Sequence, residues 1–349
     1  MIISLERVIT LPMLIRQFLV NSKKQKEFIK KTIAIDIQEI KKDNDKTLTE
    51  KDFKKITSYY GLAVPAILGE GFCLLRGKKM TYAERYKLTY MGALTGLFDD
   101  FFDEKNTDEH HIKELINNPG ELIANNSHEK LFIRFYERVL DRNNTLLVKE
   151  SLNKVFDAQV LSKKQKDSKI KEEDIKSITV EKGGTSILFY RCVFPEQIKE
   201  SELKMLYHLG GLGQLENDIF DVYKDYMQQI RTLATIETQI SKLRFTYISL
   251  MHDVFNMLNQ TDFPPKNKKK FLHFISLIFF RGFVCLDLLQ KQETISNGVF
   301  SVFAYPRKNL VCDMSKLSNQ LRLFSYYFKY RINSHDNATT LRKCNAAKP

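Results

Sequence analysis

Apolar residues recur at three- and four-residue spacing along almost the whole chain, and this period excludes most folds before any motif is considered. Helices are predicted near 5–41, 49–75, 81–103, 108–117, 128–141, 146–162, 172–192, 197–231, 234–259, 266–297 and 313–332. Strand-type alternation is nearly absent, and only 8 Pro and 14 Gly punctuate 349 residues, so short connections and an all-α class are expected. With 43% hydrophobic residues the chain is long enough to bury one large core. The simplest organisation is one extended helical domain over 1–332, followed by a polar tail, 333–349.

Two acidic clusters interrupt this apolar pattern. Asp99-Asp100-Phe101-Phe102-Asp103-Glu104 closes the segment Tyr90 to Phe98, and Asn217-Asp218-Ile219-Phe220-Asp221-Val222-Tyr223-Lys224-Asp225 follows Gly210-Gly211-Leu212-Gly213-Gln214. On a helix, Asp99 and Asp103 share a face with Asp100 beside them; Asn217, Asp221 and Asp225 fall at i, i+4 and i+8, with Asp218 a turn before Asp221. Unpaired carboxylates are costly in apolar surroundings, and a hard cation would offset them. Magnesium takes a few carboxylates, several waters and phosphate oxygens, so two such faces across a bundle would hold a diphosphate between them. The glycines beside both clusters allow backbones to approach closely.

A third element lies between the clusters. Glu181-Lys182-Gly183-Gly184-Thr185-Ser186 carries two adjacent glycines, each costing about 1 kcal/mol against Ala in a helix interior, so a helix break is expected there.

The pattern Asp99-Asp100-x-x-Asp103 resembles the first aspartate-rich motif of class I isoprenoid synthases, the superfamily of trans-prenyltransferases and terpene synthases. Gly210, Gln214, Asn217, Asp218 and Asp221 resemble its second motif in prenyltransferase form, with the Asn that terpene synthases often carry at 217; Asp221 and Asp225 stand where those enzymes have Ser/Thr and Glu. The Gly183-Gly184 break is similar to the helix kink behind the superfamily's substrate pocket. The resemblance spans roughly residues 55 to 310 and implies a single large antiparallel bundle with a central active-site cavity. It further implies Mg²⁺, as three ions with bound diphosphate, held by Asp99, Asp100, Asp103, Asn217, Asp218, Asp221 and Asp225. Asp99, Asp103, Asn217 and Asp221 would be the catalytic residues, with Lys182, Gln214, Lys224, Arg281 and Arg307 as candidate ligands of a prenyl diphosphate.

The reaction implied is ionisation of the allylic diphosphate, followed by cyclisation or elimination in a dry cavity whose aromatic faces guide the cation; Phe98, Phe102, Phe189 and Tyr207 are close to the motifs in sequence. Chain elongation also needs a site for isopentenyl diphosphate. Arg76-Gly77-Lys78-Lys79 only weakly resembles the upstream half of that site, and no Arg-Arg-Gly follows Asp103. Tyr305-Pro306-Arg307-Lys308 is a loose counterpart of the C-terminal Arg-Tyr pair of many cyclases. A terpene synthase is therefore expected, with trans-prenyl condensation, head-to-head condensation on Asp99/Asp103 and Asp221/Asp225, and a non-catalytic isoprenoid-binding subunit as alternatives.

The net charge of +13 is spread along the chain, from Lys23-Lys24 to Lys266-Asn267-Lys268-Lys269-Lys270, and no zinc-finger spacing, nucleotide loop or RNA-binding motif accompanies it, so no nucleic-acid partner is expected. Five cysteines without a CxxC pair read as free thiols of a cytoplasmic protein. Residues 1–20 lack a small-residue cleavage site and read as an amphipathic helix, expected to pack on the bundle, with peripheral membrane contact as the secondary reading. In the apolar run Phe271 to Leu289, Arg281 and Asp287 favour a buried bundle helix over a membrane span; His273 joins Arg281 there as a candidate facing the diphosphate. A homodimer is compatible with the resemblance, although no stripe marks its interface.

Overall fold

The structure is a computed structural model that describes residues 5–103, 107–140 and 145–330, Leu5 and Asp103 by their backbone alone. The expected tail, 333–349, lies outside these residues, as does Cys344. Every regular element among them is helical.

The chain opens with α1 (Leu5–Lys31) and α2 (Ile33–Lys42), which the sequence reads as one helix. They part at Thr32, whose ψ of −96° leaves the helical basin. Next comes a helical run from Glu50 to Arg76. It comprises α3 (Glu50–Lys54), α4 (Gly61–Ala63) and α5 (Glu70–Arg76), joined by π-helical turns at Lys55–Tyr60 and Val64–Gly69. Thr49 and Asp52 cap its start, the Thr49 N–H donating to Asp52 Oδ2 at 2.7 Å, and Gly77 ends it with a left-handed φ of 67°. A second capping box, with the Thr81 N–H donating to Glu84 at 2.8 Å, opens α6 (Tyr82–Asp103).

The remaining helices are α7 (Glu109–Asn117), α8 (Ser127–Val139), α9 (Thr145–Ser162), α10 (Glu172–Arg191), α11 (Glu200–Phe220), α12 (Val222–Met227), α13 (Leu233–Ile236), α14 (Ile240–Gln260), α15 (Pro265–Ile295) and α16 (Leu317–Lys329). The expected 197–231 segment bends at Asp221, and the expected 234–259 segment is interrupted after Ile236.

α11 and α15 lie at the centre. α11 packs on α10, α14 and α15, while α15 also packs on α5 and α16; α6 packs on α8 and on the first π turn, and α10 on α9. The apolar faces close one core in which Phe98, Phe101 and Phe132 are all but fully buried and meet ring to ring. Each such side chain contributes about 1.5–3 kcal/mol by leaving water. The Glu50–Arg76 run and α15 are each long and apolar enough to cross a membrane, and α15 is buried over most of that length by the other helices. Cys73, Cys192, Cys285 and Cys312 are buried free thiols.

Candidate functional site

The first aspartate cluster owes its setting to glycine. Gly92 and Gly96 lie on the α6 face that receives the π turn: a Cβ at Gly92 would stand 2.6 Å from the Tyr60 carbonyl oxygen, and one at Gly96 3.3 Å from the Tyr60 ring. A π turn carries an extra residue, which turns neighbouring side chains toward one face. Tyr60 thereby donates its hydroxyl to Asp99 at 2.7 Å, and Lys55 pairs with Asp100 at 2.6 Å. Gln159 on α9 donates to the other oxygen of Asp99 at 3.0 Å. Asp99 is part-exposed, whereas Asp100 is buried against Lys55. The Asp103 side chain lies outside the described residues.

The second cluster divides into an inner and an outer pair. Backbone bonds from Asp221 N to Asn217 O (2.8 Å) and from Asp225 N to Asp221 O (2.9 Å) preserve the four-residue spacing through the bend. Asn217 is exposed, and one turn before it Gly213 borders open space. Asp221 is part-exposed, with Lys224 at 3.7 Å. Asp218 turns inward instead, accepting from Gln214 Nε2 at 2.8 Å and from Thr179 on α10 at 3.5 Å. Burial pushes its carboxyl up to about 6, against the opposing pull of Gln214 and Lys182. Asp225 is also buried; desolvation, with the charges of Asp218 and Asp221 added, pushes it up to about 8.

Lys182 reaches this cluster from α10, where its charge lowers both inner carboxyls. The helix break expected at Gly183-Gly184 does not occur. α10 runs unbroken from Glu172 to Arg191, and the two glycines admit α11: Gly183 meets Gly210, Gly184 receives the Tyr207 ring, and Gly211 meets Val180. The packing gained at this crossing outweighs the local propensity cost.

Tyr59 links the clusters. Protein surrounding its ring raises the hydroxyl's pKa, Asp221, Glu216 and Asp99 raise it further, and Arg281 opposes them. Both clusters therefore act on one hydroxyl. Tyr59 remains 57% exposed, and the Arg281 side chain 41% exposed, so both groups are open to solvent. Arg281 donates to the buried Glu216 at 2.9 Å; that charge raises its pKa. Behind Asp99 lies a narrow pocket lined by Leu94, Phe98, Leu152, Val155 and Phe189, with Thr95, Ser186 and Tyr190 as its polar groups. Its volume is about 20 Å³, room for a single water.

Other sequence candidates stand elsewhere. Arg307 is exposed in a turn packed on α15 and forms no ion pair among the described residues. The Tyr305 hydroxyl is hydrogen-bonded to Gln292 O and to Ser296 Oγ. His273 bonds the Tyr327 hydroxyl at 3.0 Å and faces Glu6 at 3.3 Å, so it belongs to the contact of α1 with α15 and α16; burial lowers its pKa. Arg76 is locked between Glu84 at 2.8 Å and Glu196 at 2.9 Å, and Lys78 also binds Glu196. Tyr207 donates to Glu181 and lies on the α10–α11 crossing.

Among the described residues, no three His, Cys, Asp or Glu side chains form a ready metal cage. Asp99, Asn217 and Asp221 are nevertheless accessible oxygen donors, and the excess of carboxylate around Asp225 is what a bound cation would relieve. Carboxylate and amide oxygens are the donors that a magnesium ion keeping waters and phosphate oxygens would take. Lys55, Tyr59, Tyr60, Gln159 and Glu216 escaped sequence reasoning. Only Glu216, a charged residue on the apolar α11 one turn before Phe220, carried a local signal. No protein-family model matches the chain, and neither a curated protein nor a solved structure is significantly similar to it.

Proposed function

We propose that this protein is a class I terpene synthase that ionises an allylic prenyl diphosphate and converts the resulting carbocation into a cyclic or eliminated hydrocarbon. The observation that carries this reading is that Asp99 and Asp221, from segments distant in sequence, both act electrostatically on one hydroxyl, Tyr59, while Asp99 adjoins an apolar pocket.

In this reading Asp99, Asn217 and Asp221, together with Asp103, would hold magnesium, and the solvent-open side at Tyr59 and Arg281 would take the diphosphate. Bound magnesium supplies positive charge where the leaving oxygens develop negative charge. Arg281, fixed by Glu216, and Lys182 and Lys224 add cationic charge around the second cluster. The C–O bond breaks, diphosphate departs with the electron pair, and the allylic cation remains among Phe98, Phe189 and Tyr190. Transfer of a proton from a carbon next to the cationic centre to the departed diphosphate ends the sequence, the C–H electron pair becoming the new double bond. The pocket has to widen by side-chain movement to take a prenyl chain. Lys55 and Tyr60 position Asp100 and Asp99 in this scheme.

The ion pairs of Arg76 and Lys78 favour this reaction over condensation with isopentenyl diphosphate. Of the basic residues that would hold a second diphosphate, Arg76 and Lys78 are engaged by Glu84 and Glu196, while Lys79 is exposed. The experiment is incubation of purified protein and Mg²⁺ with geranyl, farnesyl, geranylgeranyl and geranylfarnesyl diphosphates, each with and without isopentenyl diphosphate. Hydrocarbon from one substrate alone is expected. Longer diphosphates formed only with isopentenyl diphosphate would assign a prenyltransferase, and a product of doubled carbon number head-to-head condensation. No turnover in any mixture would favour a binding subunit.

A further inference from the structure

α1 is divided lengthwise into two faces of opposite fate. Its inner face is tied to the bundle: Arg7 donates to the backbone carbonyls of Tyr327 and Tyr330, Leu11 and Leu14 are buried, Phe18 stacks on Phe274 with ring centroids 4.6 Å apart, and Gln25 bonds Gly61 O and Thr89. The outer face has no such cover among the described residues. Val8 (45%), Ile9 (60%), Met13 (66%), Leu19 (67%) and Val20 (55%) are all exposed on it. Their spacing places them on one side of the helix, with Arg16 among them. The same face continues toward the C-terminus of α1 as Lys23, Lys24, Lys26, Lys30 and Lys31, all exposed, with Glu27 as the only acid.

We propose that this outer face of α1 docks on an anionic lipid bilayer. An apolar strip leading into a row of lysines matches acyl chains beneath negative headgroups, the arrangement of a helix lying in the membrane interface. A second copy is a poor match, because two such faces would bring like charges together in a chain already at +13. The inner contacts hold α1 in place, so docking needs no unfolding of the bundle. This inference stands apart from the catalytic reading and would survive its failure.

The test is sedimentation of the full chain with vesicles of phosphatidylcholine alone, or of seven parts phosphatidylcholine to three of phosphatidylglycerol, at low and high salt. Binding to the anionic vesicles, weakened by salt, is expected. Ile9→Asp with Met13→Asp lowers that binding roughly tenfold or more while leaving the melting temperature unchanged. Leu19→Ser with Val20→Ser does the same should the first pair fold poorly, and Lys23→Glu with Lys24→Glu removes the preference for anionic lipid. Absence of sedimentation with anionic vesicles, or binding unaltered in both apolar pairs, overturns the proposal. A dimer in lipid-free solution that these pairs dissolve would assign the face to a second copy and overturn it equally.

Discussion

Gly183 and Gly210 each fill the space that a side chain on the other would need: a Cβ on Gly183 would stand 1.9 Å from Gly210 O, and one on Gly210 would stand 2.1 Å from Gly183 O. This contact sets how α10 crosses α11, and with it the placement of Lys182 beside Asp218 and Asp225.

Because the obstacle at both positions is backbone, Gly183→Ala and Gly210→Ala each cost about 3 kcal/mol or more, the upper end of overpacking penalties. Gly213→Ala, three residues on and with nothing within 4 Å, instead gains about 0.5–1 kcal/mol from helix propensity. Urea unfolding of the three variants decides this, and equal effects at 210 and 213 would refute the close crossing.

In metal-free buffer Asp218 and Asp225 make the stability fall as pH rises from about 4 to about 8, against the opposite slope of His252 and His273, whose pKa values burial lowers. Asp218 and Asp225 have folded pKa values of about 6 and about 8, above the ordinary Asp value, so the folded state binds more protons than the unfolded state across that window. Their destabilisation is absent below the unfolded pKa and complete above the folded one. Asp225→Asn removes most of that slope and is more stable than wild type at pH 8 by at least about 1 kcal/mol. Thermal melts in EDTA between pH 5 and 8.5 measure it; a Mg²⁺-induced rise in Tm should likewise be larger at pH 8 than at pH 6.

Arg281→Met strands the buried Glu216 carboxylate. The expected cost is about 3 kcal/mol at pH 8, the lower end for breaking a buried pair because Arg281 is partly open to water. Burial already raises the Glu216 pKa, and losing Arg281 raises it further, so protonation relieves the variant at pH 5.5. Denaturation midpoints at the two pH values should diverge more than in wild type; a pH-independent difference would mean that the pair is not the cause.

How legible was this in the sequence? The aspartate clusters, α6 and α11 stand out because carboxylates at helical spacing in apolar surroundings form a local pattern. The glycine pair in α10 misleads for the opposite reason: local propensity favours a break, while the compensating contact comes from α11, distant in sequence. Lys55, Tyr59 and Tyr60 are invisible because a π turn shifts them out of the α-helical period that sequence reading assumes. Asp218 and Asp225 read as part of one ladder with Asn217 and Asp221, yet the bend at Asp221 and the contact with Thr179 turn them inward. His273 sits on the right helix, but at the end that meets α1.

Arg76 is a further case in which composition suggests a ligand and geometry a structural tie. Arg76→Ala should lower stability by about 2–4 kcal/mol by leaving the buried Glu84 without its cation and Glu196 with Lys78 alone, yet leave the product distribution unchanged with or without isopentenyl diphosphate. Product profiling beside a thermal melt separates the two effects; a changed product ratio in the folded variant would place Arg76 in the site.

The most direct measurement is the rate of inorganic diphosphate release from allylic prenyl diphosphates by wild type and Asp99→Ala, with Mg²⁺ and with EDTA. Magnesium-dependent release that falls at least about 100-fold in the folded Asp99→Ala variant is the predicted result. Release that survives EDTA or the loss of Asp99, or no release from any substrate by folded wild type, would contradict the account.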